Sequence, residues 1–237
     1  MGRPFSTLAC RNTWLLRFVG GLAGMVASSA QAEVLTPTEA DAWLERFSAD
    51  PQLVWSVPET GCYARAHWMA LRLDEGGIET EKIWVEDPRG ELWPQGLEEI
   101  QVGWRYHVAI IVKVATFDHP LAVRRVLDPA VANRPLAVDE WLSLVSRVRC
   151  RPVARRDPYC ESGCIYYFSP AQQLLRTHHD FRTEWRSEDE ERARAELQRL
   201  ARQAAVPMSQ RSSSRSVGGT DPACRERPLV LPRGPLF

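Results

Sequence analysis

The apolar period of the chain changes at Gly76-Gly77, and that change decides what it can fold into. Upstream, Ala66, Met69, Ala70 and Leu73 recur at 3.6-residue spacing within Cys62 to Asp74, which predicts a helix. The paired glycines end it, because glycine accepts the left-handed conformation in which helices often close. Downstream, Lys82-Ile83-Trp84-Val85-Glu86 reads as a strand. His107 to Val114 is β-branched and almost wholly apolar, the pattern of a strand buried on both faces. After a turn at Asp118-His119-Pro120, Val123 to Leu127 reads as a third strand, ending at Asp128-Pro129 where proline stops the ladder. The 17 prolines in 237 residues argue against a long helical bundle. The chain is expected to be an α+β domain.

The remaining elements fall around this core. Pro37 to Phe47 predicts a short helix capped by Thr38, with Ala40, Trp43, Leu44 and Phe47 on its apolar side. Asp87 to Gly103 is read as a loop. Pro135 and Asp139 introduce a helix to about Val145, and Ile165 to Phe168 is a short strand. Ser187-Glu188-Asp189-Glu190 has the form of a capping box for a helix running to about Ala205. Ala193, Leu197, Leu200 and Ala204 make its apolar stripe; the rest is charged and read as a solvated surface. From Met208 the Ser-, Arg-, Gly- and Pro-rich composition predicts a flexible tail. The expected divisions are 1–32, 33–186, 187–206 and 207–237.

Residues 1–32 are read as a leader. Arg3, Arg11 and Arg17 have no acidic counterpart, Phe18 to Ala27 is apolar, and Ala30-Gln31-Ala32 is a small-x-small cleavage site. The apolar run falls short of the roughly 20 residues that span a bilayer. Cleavage removes three arginines and no acid, leaving 27 basic and 30 acidic side chains, a net of about −3. No basic excess marks a nucleic-acid surface. No later run is long enough to hold the chain in a membrane. The mature protein is expected in the periplasm or outside the cell.

That compartment gives the cysteines meaning. Cys10 leaves with the leader, and Cys62, Cys150, Cys160, Cys164 and Cys224 remain, an odd number. The economical reading is two disulfides among the last four, in any of three pairings, and a free thiol at Cys62. Cys160 and Cys164 with His178 and His179 offer ligand-like spacing for zinc, but adjacent histidines diverge and an oxidising compartment favours disulfides. No metal or other cofactor is expected.

A free thiol at a helix start is a candidate nucleophile. The first turn presents open backbone N–H groups and the positive end of the helix dipole, and both favour the thiolate. Gly61 beside it leaves room for a substrate. His107 opens a strand and can serve as base; Asp128 closes the next and can hold the other imidazole nitrogen. Each residue alone has an ordinary reading as a core thiol, a satisfied core histidine or a turn aspartate. Together with the odd cysteine count they favour a triad. His67 competes as base, but five helical residues place it about 140° around from Cys62.

The segments Gly61-Cys62-Tyr63-Ala64-Arg65-Ala66-His67, Lys82-Ile83-Trp84-Val85, Trp104-Arg105-Tyr106-His107-Val108-Ala109 and Val126-Leu127-Asp128-Pro129, followed by Pro135 and Trp141, resemble the secreted bacterial protein-glutaminases. Tyr166-Tyr167-Phe168-Ser169-Pro170 fits the same pattern, so the likeness covers roughly 57 to 170. It implies a papain- or transglutaminase-like core, with an antiparallel sheet packed on the helix that bears the catalytic cysteine. It implies Cys62, His107 and Asp128 as catalytic groups, and protein or peptide substrates with exposed glutamine. Trp104, Tyr106 and Gly61 are the expected substrate-binding residues, and Trp84 is expected in the core. About thirty residues lie between the cleavage site and Cys62, so no long pro-region is expected. The rival activities share the same thiol: a transglutaminase, a papain-like protease, or a binding module with a silent site.

Overall fold

Proline at the first helical position and a threonine before it set the start of α1 (Pro37–Ala49). The cap is Thr36, not Thr38. Its hydroxyl accepts from the Glu39 amide at 3.2 Å and the Glu39 carboxylate accepts from the Thr36 amide at 2.7 Å, a reciprocal box. Thr38 already lies inside the first turn, because Pro37 fits N1 and puts the cap one residue before itself. The helix buries Ala40, Leu44 and Phe47.

Helix α2 (Cys62–Glu75) begins at Cys62 and closes on Gly76. Gly77 takes the left-handed conformation (φ +76°), and Ile78 N–H returns to Leu73 C=O at 2.9 Å. Every residue from Ala64 to Ala70 is buried, because the helix has neighbours on more than one side.

The strands are β1 (Thr80–Glu86), β2 (Tyr106–Thr116), β3 (His119–Leu127), β4 (Arg151–Pro152) and β5 (Ile165–Pro170), in sheet order β3-β2-β1-β5-β4. All neighbours are antiparallel except β4 and β5. Trp84 of β1 stands opposite Val108 and Tyr167 and is fully buried. Val108, Ile110 and Val112 join the core formed with α2, while Ala109 and Ile111 join the core on the other face, beneath α3 (Val138–Val145). That is why β2 reads as a continuous apolar run. Strand β3 starts at His119, where a turn is expected from sequence. Proline is tolerated at 120 because β3 is an edge strand and needs no N–H on its outer side.

Helix α4 (Ser187–Ala204) lacks the expected capping box. Ser187 is its first helical residue, Arg186 is the cap, and no side chain caps it. Asp189 is instead buried and bonded by Arg182 at 3.0 Å. The acidic first turn still complements the helix dipole. Ala193, Leu197 and Leu200 enter the same apolar core as α2.

The computed structural model describes residues 34–58, 60–87, 92–94, 104–116, 119–154, 163–175 and 182–206, all within one compact unit, Ala32–Phe237. The leader, most of the 87–103 loop, Cys160, His178, His179, Cys224 and the tail lie outside them. Among the described residues, no helix is long and apolar enough to cross a membrane.

Of the candidate bridges, Cys150–Cys164 is formed. It ties the segment after α3 to the start of β5, beside the Arg151 N–H bond to Cys164 C=O. The two cysteines are 14 residues apart, so replacing both by serine is expected to lower unfolding free energy by about 3 kcal/mol. Urea denaturation at neutral pH checks this, and an unchanged midpoint and slope would count against it.

Candidate active site

The helix-opening thiol is free and half-buried. It follows Gly61, whose left-handed backbone (φ +80°) lets its carbonyl accept the Ala64 and Arg65 amides at 3.1 Å each. A side chain at 61 is disfavoured by that backbone, and an added Cβ would lie 2.4 Å from Leu200 Cδ1, which would have to shift. Gly61 is therefore buried under α4 rather than open to a substrate.

His107, the second residue of β2, is buried, and its Nε2 lies 2.8 Å from Asp128 Oδ2. Asp128 follows β3 and is itself held by donors. Trp141 Nε1 donates to Oδ2 at 2.8 Å and the Ala130 amide to Oδ1 at 3.1 Å. The Trp104 ring stacks on the imidazole with centroids 4.2 Å apart, and Trp141 lies nearly parallel at 5.8 Å. These contacts fix the ring plane and keep a proton on Nε2.

The His107 pKa is the balance of opposed effects. Burial is the largest and pushes it down. The charge of Asp128, the bond to Asp128, and hydrogen bonding and charge from Cys62 together outweigh burial, and the pKa is pushed up to about 9. His107 Nδ1 nevertheless makes no hydrogen bond of good geometry. Cys62 is thus a close neighbour of the ring that makes no well-aligned hydrogen bond to it. Cys62, His107 and Asp128 line one small cleft, together with Trp55.

The other expected residues are placed differently. Trp104 is buried, stacks on His107, and donates from Nε1 to Pro58 C=O at 3.1 Å. Tyr106 is half-buried and lies 6.1 Å from Trp84, ring to ring. His67 is turned away: it is buried with Nδ1 3.1 Å from Lys82 Nζ, and burial, then Lys82, pushes its pKa down to about 3. Lys82 also donates to Gln173 C=O at 2.6 Å, and burial holds its pKa well below the usual lysine range despite Asp189. Sequence reasoning missed Trp55 and Arg65. The available signal was an arginine among alanines, one turn after Cys62, on a helix otherwise read as apolar.

Residues 33–145 match the family model described as glutaminase. No curated protein matches the chain in sequence. Among solved structures the chain is similar to a protein-glutaminase crystal structure, with TM-score 0.56 and 19% identity, covering 80% of this chain and 98% of that one. It is similar to the NMR structure of protein-glutaminase from Chryseobacterium proteolyticum, with TM-score 0.51 and 19% identity over 72% and 90% of the two chains. It is also similar to pro-protein-glutaminase, with TM-score 0.52 and 19% identity over 73% of this chain and 60% of that one. The α+β core with its largely antiparallel sheet is the fold of those enzymes. Residues 33–145 thus match the glutaminase family model, and the chain as a whole shares the fold of the protein-glutaminases.

Proposed function

We propose that the protein hydrolyses glutamine side-chain amides in proteins or peptides, releasing ammonia and leaving glutamate. The observation that carries this reading is a free thiol sharing one cleft with an imidazole whose proton is held by a buried carboxylate. With its pKa near 9, His107 keeps a proton at neutral pH for a leaving group. The Cys62 sulfur attacks the carboxamide carbon, and the carbonyl electron pair moves onto oxygen. Backbone N–H groups at the start of α2, that of Cys62 among them, stabilise that oxyanion. As the C–N bond breaks, His107 gives its proton to the departing nitrogen, which leaves as ammonia. Water then attacks the thioester; His107 takes its proton and the thiolate leaves, restoring the imidazolium pair. Asp128 orients the ring throughout.

The leader at residues 1–32 and the Cys150–Cys164 disulfide support an exported enzyme. Among the described residues, no group of three or more His, Cys, Asp or Glu side chains could hold a metal ion, and the chemistry proposed here needs none. Incubation with casein is the test. Ammonia release without new termini or crosslinks is the expected result. Crosslinked or amine-labelled casein means transamidation, cleaved chains mean proteolysis, and no reaction with an inert Cys62 means a binding module.

A further inference from the structure

The segment just before the nucleophile is held chiefly by one side chain, with the Trp104 Nε1 bond to Pro58 C=O beside it. Arg65, on α2 and 3% exposed, spends its guanidinium on backbone carbonyls. Nε donates to Leu53 at 2.9 Å and to Val54 at 3.1 Å, Nη1 to Thr60 at 2.9 Å, and Nη2 to Val54 at 2.8 Å and Val57 at 2.6 Å. Val54 is the only non-glycine residue with positive φ among those described (+28°). A β-branched residue does not adopt that conformation unaided, so the surrounding bonds must impose it. Two of the Arg65 bonds fall on its carbonyl. The next residue is Trp55, which lines the cleft with Cys62, His107 and Asp128. Its Nε1 donates to Phe47 C=O at 2.9 Å, and the Arg65 guanidinium carbon lies 5.3 Å from its ring centroid. The indole is thereby fixed at its polar edge and at its arginine contact.

We propose that Trp55 is a substrate-binding wall of the cleft that takes the aliphatic part of the glutamine side chain, and that Arg65 is the positioning residue that holds it there through the strained Val54 turn. This rests on the amide-hydrolase reading for the identity of the substrate. The contact itself precedes any turnover. An amide carbon joined to a chain through two methylenes needs an apolar surface beside the nucleophile to hold those methylenes. Trp55 supplies such a surface in the cleft, while Trp104 is occupied by His107.

The test compares two alkylating reagents on Cys62. Iodoacetamide reports the thiol alone. A peptide carrying a chloromethyl ketone in place of a glutamine carboxamide reports the thiol and the side-chain subsite together. Losing the burial of two methylenes sets the expected effect at about tenfold. Trp55→Ala is expected to slow the peptide reagent by about that factor and to change iodoacetamide by less than about twofold. Trp55→Phe should restore most of the rate. Trp55→Leu keeps apolar bulk without the flat face and carries the same expectation as alanine should that variant not fold. Arg65→Lys should show the same selective loss alone and little further loss in a Trp55→Ala background. Equal effects on both reagents, or no effect on either, would overturn the assignment of Trp55. Additive losses would overturn that of Arg65. Because alkylation needs no turnover, a wild-type protein that releases no ammonia sinks the hydrolase reading by a separate observation.

Discussion

Cys62→Ala is expected to leave a folded protein that releases no ammonia from casein above background, a loss of about 10⁴-fold or more. The size follows from the role. In the proposed mechanism the sulfur forms the covalent bond on which both halves of the reaction depend, and nothing else lining the cleft is a comparable nucleophile. His107 holds a proton, and Asp128 is committed to His107, Trp141 and the Ala130 amide. The fold should survive because Cys62 is only half-buried at the first position of α2, and the Cys150–Cys164 bridge does not involve it. Circular dichroism and the thermal midpoint check the fold, and an ammonia assay checks the chemistry. A variant that still releases ammonia at the wild-type rate removes Cys62 from the mechanism.

Asp128→Asn is expected to lower kcat/KM by about 10²- to 10⁴-fold and to move the alkaline limb of its pH profile to lower pH. In the wild type, burial alone would depress the His107 pKa; the charge and hydrogen bond of Asp128 are the leading effects that raise it to about 9. Removing the charge leaves mainly the smaller contributions of Cys62 against burial, so the imidazolium is lost at lower pH. The same shift acts on stability. A folded-state pKa near 9, above the ordinary 6.5, means that His107 stabilises the fold fully below pH 6.5 and loses that contribution as pH rises through about 9. Unfolding free energy of the wild type should therefore fall across pH 6.5 to 9, and that slope should flatten in Asp128→Asn. An alkaline limb left in place by the substitution would show that Asp128 does not hold the His107 proton.

Where the chain announces its own geometry, sequence reading and structure agree closely. The helix from Cys62 to the double glycine, the doubly buried strand after His107 and the free thiol were all legible, because periodicity, glycine chemistry and cysteine parity are local or countable. What was not legible depends on neighbours distant in sequence. Pro120 reads as a turn until β3 is known to be an edge. Ser187 reads as a cap until Asp189 is seen bonded by Arg182. Thr38 reads as the cap until Pro37 is seen at the first helical position, which puts the cap at Thr36. Trp55 carries no signal of its own, and Arg65 shows only as a cation among alanines, since the carbonyls that Arg65 binds come from an irregular segment whose path no periodicity records. Trp104 reads as a cleft residue from its place beside His107 in the chain, and its stacking on the imidazole cannot be told from that place in sequence.

The nesting of Leu200 against Gly61 bears on how small the enzyme can be made. The helix after residue 186 looks in sequence like a charged appendage that could be trimmed. Its inner stripe of Ala193, Leu197 and Leu200 is, however, the roof over the flank of the helix that carries the thiol. A fragment ending before it would leave that flank wet and Gly61, the residue ahead of Cys62, unsupported. The smallest part of this chain that can be excised and still work therefore reaches past the matched residues 33–145 to the end of α4.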